Sequence, residues 1–270
     1  MKKILVTGGS GFIGKTLISE LKKKYIIYAI VRNKKGNREK KNVKYIHIKK
    51  IKSLRKINIF AVIHLATFYT KKYDEKSIKK ILDANIIFGL NIINNINKKY
   101  CKKFIYFSTM MEHMNGKKYN PLNFYASSKM AFSNMINFYE NIYKNTKFYN
   151  IKVSETFGLN DNRKKILPAL INSLKKNELF LLNNKKLSLN FVHVLDVVKA
   201  IAIILNKNIK PAIYSIKNRK DNNIYELIKF LNIKKFKVKN NKIENYGYKF
   251  KRIPGWKPEY DLCDFLKKII

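Results

Sequence analysis

Apolar segments of two kinds alternate along the first two hundred residues. Short continuous apolar runs are typical of buried strands, and longer stretches with apolar residues every three or four positions are typical of helices. The predicted strands are KKILVTG, IIYAIVR, VKYIHI, IFAVIHLA, KFIYFST and YNIKVSE. The predicted helices cover residues 12–25, 75–99 and 124–144, and NFVHVLDVVKAIAIIL predicts a strand that runs into a helix. This alternation predicts an α/β fold with a doubly wound parallel sheet.

The charge of the chain is extreme: 58 Lys and Arg against 17 Asp and Glu, formally +41. The lysines are spread over all 270 residues together with many Asn, Ile, Tyr and Phe, which indicates A/T-rich codons rather than a nucleic-acid surface. Cys101 and Cys263 lie too far apart in sequence for a metal pattern or a disulfide framework. No segment reaches the roughly 20 apolar residues of a membrane span. We therefore expect a cytoplasmic protein that needs no metal, no membrane and no nucleic acid.

The segment LVTGGSGFIGKT, residues 5–16, fits two phosphate-binding patterns. Residues 9–14 match the G-x-G-x-x-G of dinucleotide sites, and residues 9–16 match the P-loop of triphosphatases. In a P-loop, the bulky Phe12 and Ile13 would lie in the loop around the phosphates, whereas in a dinucleotide site they begin the helix. A triphosphatase also needs a carboxylate at a strand end for magnesium, which AVIHLA and FIYFST lack. The segment therefore predicts a dinucleotide site.

This site predicts the Rossmann form of the doubly wound sheet. The regular alternation of elements weakens after about residue 158, and no linker rich in Gly, Ser or Pro divides the chain. We expect a cofactor-binding Rossmann domain at residues 1–158, to which residues 190–206 return. Residues 159–189 and 207–270 are expected to form a small C-terminal α+β lobe that binds the substrate.

The end of the second predicted strand distinguishes NAD from NADP. In NAD sites an Asp or Glu at this position binds the ribose hydroxyls, whereas an Arg accommodates the 2′-phosphate of NADP. Arg32 and Asn33 stand there, and no acidic residue follows before Glu39. The strand end therefore predicts NADP(H) as the cofactor, with NAD as the second choice.

The segment YASSK places Tyr125 and Lys129 four residues apart, on one face of a predicted helix. A phenol titrates near pH 10, and a nearby ammonium lowers its pKa. The preceding strand ends in Ser108 and Thr109, at the edge where parallel sheets bind their ligands. We expect Thr109 to hydrogen-bond a substrate oxygen and Tyr125 to transfer the proton. Lys129 is expected to hold the cofactor ribose and to make Tyr125 more acidic.

Together, several segments resemble an extended short-chain dehydrogenase/reductase of the NAD-dependent epimerase/dehydratase family. They are TGGSGFIG, VIHLA, DANIIFGLNII, FIYFST, YASSK, ETFGLND and FVHVLDV, which cover about residues 2–200 in the family's order. The resemblance implies a catalytic set of Thr109, Tyr125 and Lys129. It also implies cofactor contacts at Gly8, Gly11, Phe12, Ile13, Gly14, Leu65, Ala66 and Asn85, besides those at Tyr125 and Lys129.

Departures from the family pattern narrow the expected reaction. Met110 and Met111 stand where 4,6-dehydratases carry the Asp-Glu pair that eliminates water. Leu189 and Asn190 replace an Arg-Asp pair of many epimerases, in which the Arg contacts the substrate diphosphate. TMMEH, NPLNFYASSKMAF and GLNDNRKKILPALI resemble instead the branch of CDP-abequose and CDP-paratose synthases, NADPH-dependent reductases of CDP-4-keto-deoxyhexoses. This resemblance implies substrate contacts at Ser108, Met110, Met111, His113 and Arg163.

The expected function is therefore reduction of a nucleotide-linked 4-keto-6-deoxy sugar, in the first place a CDP-sugar, by NADPH. Its product would serve surface polysaccharides such as lipopolysaccharide. Two alternatives remain: a nucleotide-sugar 4-epimerase that retains NAD, and a non-catalytic binding protein on the same fold. The family also implies a homodimer, paired through helices at about 80–97 and 125–143. Its expected apolar stripe is Ile81, Ile86, Phe88, Ile92 and Ile96.

Overall fold

The computed structural model describes residues 1–33, 41–242 and 248–270. Within these ranges the strands are β1 (Lys3–Thr7), β2 (Ile26–Val31), β3 (Val43–His47), β4 (Ile59–His64), β5 (Lys103–Thr109), β6 (Lys147–Val153), β7 (Glu155–Phe157), β8 (Phe180–Leu182), β9 (Ser188–Leu189), β10 (Phe191–His193), β11 (Ile213–Ile216), β12 (Asn222–Asn223), β13 (Phe236–Val238) and β14 (Lys251–Arg252). The helices are α1 (Phe12–Leu21), α2 (Glu75–Leu82), α3 (Phe88–Asn95), α4 (Phe124–Ile142), α5 (Ile166–Lys176), α6 (Val194–Asn206), α7 (Ile224–Phe230) and α8 (Leu262–Ile269). A π-helical turn, Asp83–Ile87, joins α2 to α3, and 3-10 turns lie at Ile48–Lys56, Met110–Glu112 and Met114–Gly116.

Among the described residues, eight strands form one sheet in the order β14-β11-β6-β5-β4-β1-β2-β3. Every neighbouring pair in this sheet is parallel. The chain builds β1, β2 and β3 outwards in one direction and then crosses back to place β4 on the other side of β1. The predicted doubly wound parallel sheet is therefore confirmed. In such sheets the carboxyl ends of the two strands at this reversal flank a crevice where ligands bind.

Each face of the sheet carries its own apolar core, because successive residues of a strand point to opposite faces. Ile4 and Val6 belong to a core that includes Leu17 of α1 and Ile201 of α6. Leu5 belongs to a second core, which includes residues of α3 and α4. Burial on both faces explains why β1, β4 and β5 are continuous apolar runs rather than alternating ones.

A smaller lobe is built around a third apolar core. It contains Phe180 and Leu182 of β8, Leu227 of α7 and Leu266 of α8. The short strand pairs β8–β13 and β9–β12 cover this core together with α5. These elements give the lobe the α+β character expected from the sequence.

Two strands of the region assigned to this lobe lie elsewhere. β11 pairs with β6, and β14 pairs with β11, so both extend the central sheet. The predicted boundary, which gives all of residues 207–270 to the lobe, is wrong for these two strands. β11 is only four residues long and follows a lysine-rich stretch, so its local pattern is weak. Its place is decided by β6, against which Tyr214 and Ile216 become buried.

The helical stretch predicted at 75–99 is shorter in the structure and ends at Asn95, because Ile96 is extended and keeps its side chain in the core.

The apolar residues that the sequence analysis assigned to a dimer interface are the wrong ones. Ile81, Ile86, Ile92 and Ile96 are buried inside the subunit. The exposed apolar residues of these helices are Leu82, Ile87, Met135, Phe138 and Ile142.

No helix in the described ranges has both the length and the apolar character that a membrane crossing requires.

Candidate active site

The turn between β1 and α1 is shaped by three glycines. Gly8 has φ +70°, and a Cβ on it would lie 2.7 Å from the backbone nitrogen of Ala66. A Cβ on Gly14 would overlap the carbonyl oxygen of Gly8, and one on Gly11 would lie 3.3 Å from the same oxygen. A Cβ on Gly9 would meet only the flexible end of the Ile18 side chain under 3.0 Å.

The backbone therefore requires glycine at Gly8 and Gly14, while Gly9 of the G-x-G-x-x-G pattern is less constrained. Since no side chain fills the turn, a ligand can approach the backbone there. Gly11 is the N-cap of α1 and supplies no side-chain hydrogen bond to the first turn. An uncapped helix start of this kind is suited to a phosphate group, because its N–H groups point outwards.

The other residues expected to hold the cofactor lie along the same edge of the sheet. Phe12 and Ile13 begin α1, and Ile13 packs against the core. Leu65 and Ala66 directly follow β4, against the turn at Gly8. Arg32 and Asn33 follow β2 and are exposed. This edge of the sheet therefore has the glycine turn, the uncapped start of α1 and the positive charge of Arg32. These three features fit a dinucleotide.

The three residues predicted to be catalytic come from two neighbouring elements. Thr109 is the last residue of β5, and its hydroxyl accepts a hydrogen bond from the backbone of Met111 at 3.2 Å. Tyr125 and Lys129 lie one turn apart on α4, whose N-cap Asn123 accepts a bond from Ala126 N at 2.9 Å. Lys129 is buried, and Tyr125 is half-buried.

Burial is the main cause of the pKa shifts of Tyr125 and Lys129. Burial raises the pKa of Tyr125 to about 12, with the Glu112 and Glu155 carboxylates adding to the rise and a hydrogen bond with Thr67 opposing it. Burial lowers the pKa of Lys129 to about 8. Burial is therefore the largest influence on the pKa of Tyr125 in the ligand-free protein, and the expected effect of Lys129 on that pKa stays a prediction. Tyr125 holds its proton at neutral pH and is a proton donor in this state.

Asn85, predicted to contact the cofactor, connects three elements. Its carbonyl oxygen accepts bonds from the Thr67 hydroxyl at 2.9 Å and from Phe68 N at 2.7 Å. Its amide donates to Phe68 O at 3.1 Å and to the Ser128 hydroxyl at 2.9 Å. The π-helical turn places Asn85 between the loop after β4 and the YASSK helix. Through these bonds Asn85 holds the cofactor loop and α4 in register.

A cavity of about 220 Å³ opens beside Thr109. Met110 and Met111, two of the predicted substrate contacts, form part of its wall. Its lining is Thr109, Met110, Met111, Val153, Ser154, Glu155, Ser188, Leu189, Asn190, Lys217 and Asp221. Among the charged groups, Glu155 pairs with Lys165 at 3.1 Å and Asp221 accepts a bond from the Asn190 amide at 2.8 Å. A hexose ring is of a suitable size for this space.

The other residues predicted to contact substrate are already bonded within the protein. The guanidinium of Arg163 forms two 2.7 Å bonds to the Asp161 carboxylate and stacks 4.2 Å from the ring of Phe12. Arg163 lines a second cavity, of about 620 Å³, formed by the chain from Asp161 through α5 to Leu187. His113 and Ser108 do not line the cavity at Thr109 and belong to a buried cluster behind it.

That cluster contains two residues that the sequence analysis did not single out, Glu112 and Lys152. Their side chains form an ion pair that is almost completely buried. The Ser108 hydroxyl donates to the same carboxylate, and Thr109 N lies 3.3 Å from it. The spacing of Thr109 and Glu112 is that of a capping box, which is the signal that could have revealed Glu112.

His64 of VIHLA is a buried residue that packs and hydrogen-bonds within the protein. Its Nδ1 is 2.8 Å from the Thr7 hydroxyl, and the rings of Phe88, Phe104 and Phe132 surround it. Burial lowers its pKa to about 3, so the imidazole is neutral and joins β4 to β1. Within the described residues, no cluster of three or more His, Cys, Asp or Glu side chains is arranged to hold a metal ion.

The fold and this site define a dinucleotide-dependent enzyme of the short-chain dehydrogenase/reductase type. Residues 4–216 match the NAD dependent epimerase/dehydratase family, and the chain belongs to it. It is accordingly an NAD(P)-dependent enzyme of the nucleotide-sugar class.

Individual relatives differ in their reactions. The CDP-abequose synthase of Yersinia pseudotuberculosis is 25% identical over 96% of this chain and 92% of its own length. The dTDP-D-glucose 4,6-dehydratase of Mus musculus is 26% identical over 100% of this chain and 88% of its own. Among solved structures, UDP-glucuronic acid 4-epimerase from Bacillus cereus in complex with UDP-glucuronic acid and NAD is similar. It has a TM-score of 0.84 and 17% identity, and the match covers 98% of this chain and 96% of that one.

Proposed function

We propose that this protein is an NADPH-dependent reductase of a nucleotide-linked 4-keto-6-deoxy sugar, with a CDP-sugar as the first choice. The observation that carries the proposal is the cavity wall after Thr109, which is formed by Met110 and Met111. Thioether side chains cannot remove or add a proton, so they do not support elimination of water. They do suit a deoxygenated 6-methyl group. The similarity to CDP-abequose synthases agrees with this choice.

The carboxylates near this wall are engaged elsewhere. Glu112 is bonded to Lys152 and Ser108, and Glu155 pairs with Lys165. Asp221, which also lines the cavity, accepts a bond from the Asn190 amide. None of the three has the unbonded carboxyl that a dehydratase base requires. The proposal therefore separates this chain from the dehydratases to which it is also similar.

The proposed reaction uses each catalytic residue once. A nicotinamide held beside the glycine turn would provide the hydride for the C4 carbonyl carbon of the sugar. The Thr109 hydroxyl donates a hydrogen bond to the ketone oxygen, where negative charge develops. Tyr125, protonated at neutral pH, transfers its proton to that oxygen, and the product is the 4-hydroxyl sugar. Lys129 would hold the cofactor ribose and would stabilise the phenolate that remains.

Lys217 supplies the positive charge for the anionic part of the substrate. It is half-buried, lines the cavity at Thr109 and makes no hydrogen bond or ion pair with any residue of the described chain. Leu189 lines the same cavity, at the position where many epimerases carry an Arg. We assign Lys217 to a phosphate of the nucleotide, which would partly replace that Arg.

A 4-epimerase is the second candidate, because a relative from Methanocaldococcus jannaschii named as a putative UDP-glucose 4-epimerase is 25% identical over 99% of this chain. The deciding experiment is NADPH oxidation by the purified protein with CDP-, GDP-, dTDP- and UDP-linked 4-keto-6-deoxy sugars. We expect stoichiometric NADPH consumption with one nucleotide preferred. Interconversion of a UDP-hexose without net NADPH use, by protein that carries bound NAD, would replace this proposal with the epimerase.

The cofactor preference is expected to depend on Arg32. A guanidinium bonded to the 2′-phosphate contributes about 1.5–3 kcal/mol, or roughly tenfold to a hundredfold in affinity. Arg32→Asp should therefore narrow or reverse the preference for NADPH over NADH, measured as the ratio of kcat/KM values. Arg55→Asp, a change of the same charge at an exposed residue of the 48–56 turn, should leave the ratio unchanged. Equal use of both cofactors by the unmodified protein would contradict the assignment.

The proposed homodimer would use the exposed apolar residues of the α2–α3 and α4 helices. Phe138 is 61% exposed, and Met135 and Ile142 flank it on α4. Phe138→Glu places a charge in the middle of this surface and should convert the protein to a monomer in sedimentation velocity at micromolar concentration. Phe230→Glu changes an exposed Phe of α7 and should leave the dimer intact. A monomeric unmodified protein would rule the dimer out.

A further inference from the structure

The buried ion pair behind Thr109 joins the carboxyl ends of two neighbouring strands. In the register of β5 and β6, Ser108 lies opposite Lys152. The Lys152 ammonium pairs with Glu112 and lies 3.3 Å from the Ser108 hydroxyl. The next residues of both strands, Thr109 and Val153, line the cavity. The pair therefore sits directly beneath the wall on which the substrate would rest.

Glu112 also fixes the turn that follows Thr109. One carboxylate oxygen accepts bonds from the Ser108 hydroxyl and from Thr109 N, and the other accepts from Lys152. In return, the Thr109 hydroxyl caps the turn by accepting a bond from Met111 N. These reciprocal bonds hold the Thr109 side chain and the two methionines in one arrangement.

Aromatic side chains seal the pair on its far side. The ring of His113 lies 4.8 Å from that of Tyr248 and 5.1 Å from that of Phe250, and Phe250 also faces the Lys152 ammonium at 5.7 Å. His113 is neutral, because burial and the Lys152 charge lower its pKa. With water excluded, the charges of Glu112 and Lys152 act over a longer range than they would at the surface.

The charges of Glu112 and Lys152 also influence the pKa of Lys129. Burial lowers its pKa, the Glu112 carboxylate raises it, and the Lys152 ammonium lowers it by less than Glu112 raises it. His64 on β4, whose own pKa is depressed partly by Lys129, and Tyr125 on the same helix are both neutral at pH 7. Glu112 is thus the negative charge that opposes loss of the Lys129 proton.

The geometry points to Glu112 as a positioning residue of this active site, held in place by Lys152, which fixes the Thr109 turn and supplies the negative charge that balances Lys129. This inference rests on the proposed function only in taking Thr109 and Lys129 as catalytic. It gives the pair a second role besides joining two strands. A purely structural pair would affect stability alone.

Four variants separate the two roles. Glu112→Gln leaves the buried Lys152 ammonium without its negative partner, so it should lower Tm strongly. Glu112→Gln/Lys152→Met removes both charges and should recover most of Tm. Glu112→Asp keeps the charge and should recover part of the function. Lys199→Met/Glu259→Gln removes an exposed ion pair that does not line the cavity at Thr109 and should change neither stability nor activity greatly.

The first measurement needs no substrate. In ligand-free protein with ¹³Cε-labelled lysine, the Lys129 signal is identified as the one lost in Lys129→Arg. We expect Lys129 to titrate at lower pH in Glu112→Gln and in the double variant than in the unmodified protein. An unchanged titration in both would overturn the inference, whatever the sugar specificity proves to be.

The second measurement is the pH–rate profile with the best substrate of the panel. The rate of ketone reduction should begin to fall at lower pH in the double variant, and its maximum kcat should be at least about tenfold lower because Thr109 is displaced. Recovery of Tm together with normal kcat and a normal profile would show that the pair is only structural. If the unmodified protein reduces no keto sugar, the proposed reaction fails while the titration still decides the role of Glu112.

Discussion

Tyr125→Phe should lower turnover by about 10²–10⁴-fold while the fold and cofactor binding remain. The change removes one hydroxyl, and the ring keeps its edge contact with Tyr69 at 5.1 Å. The loss is large because the neighbouring carboxyl groups cannot replace the proton: Glu112 and Glu155 are both ion-paired. Single-turnover reduction at saturating NADPH measures the effect on the chemical step alone.

Tyr69→Phe is the matched control, since it removes a hydroxyl from the partner ring and preserves the same edge contact. It should change kcat by no more than a few fold. Because the pKa of Tyr125 is about 12 in the ligand-free protein, deprotonation of Tyr125 should not limit reduction between pH 6 and 9. Near-normal turnover in Tyr125→Phe would mean that YASSK is a helical coincidence.

Gly8→Ala should have the second largest effect, on cofactor binding and on stability together. The added Cβ would lie 2.7 Å from Ala66 N and 2.8 Å from the carbonyl carbon of Leu65, both of which are backbone atoms that cannot rotate away. The turn must therefore move from β4, and the cradle for the phosphates opens. We expect a loss of about 2–4 kcal/mol in the free energy of unfolding and at least about a tenfold loss in NADPH affinity.

Gly116→Ala separates the two causes of this loss. Gly116 has φ +71°, almost the same as Gly8, but a Cβ there would meet nothing within 4 Å. It should cost only the left-handed backbone strain, about 1–2 kcal/mol, without loss of cofactor affinity. Chemical denaturation and calorimetric titration with NADPH measure both quantities. Equal losses at the two glycines would mean that the contact between Gly8 and Ala66 has no role in the cradle.

Much of the fold follows from local patterns. Continuous apolar runs predict β1, β4 and β5 because these strands are buried on both faces, and period-3.6 apolar spacing predicts α1, α4 and α6. The element order then leads to the doubly wound sheet, since parallel strands need helical crossovers. The weaker predictions concern the last seventy residues, where β11, β12, β13 and β14 are each four residues or shorter. Strands this short carry too few residues for a period to be visible.

For the candidate site too, local patterns predict some of the residues and not others. Spacing within one helix places Tyr125 and Lys129 together, and the end of β5 places Thr109 at the ligand edge. Spacing could not reveal Lys152, which meets Glu112 from forty residues away through strand pairing. It also could not show that Arg163 is already bonded to Asp161, because the conformation of that loop decides the contact.

The sequence by itself therefore determined the longer strands and helices of the first two hundred residues, the sheet type, the glycine turn and the catalytic spacing, since each depends on sterics and periodicity over a few residues. Tertiary structure alone decided that Gly8 cannot be replaced, because the obstacle to a side chain there is the backbone of Ala66 in the segment that follows β4. It also decided the direction of the Tyr125 pKa, because burial depends on every element that packs around the phenol. Burial and long-range charge are properties of the assembled chain, and no local pattern encodes them.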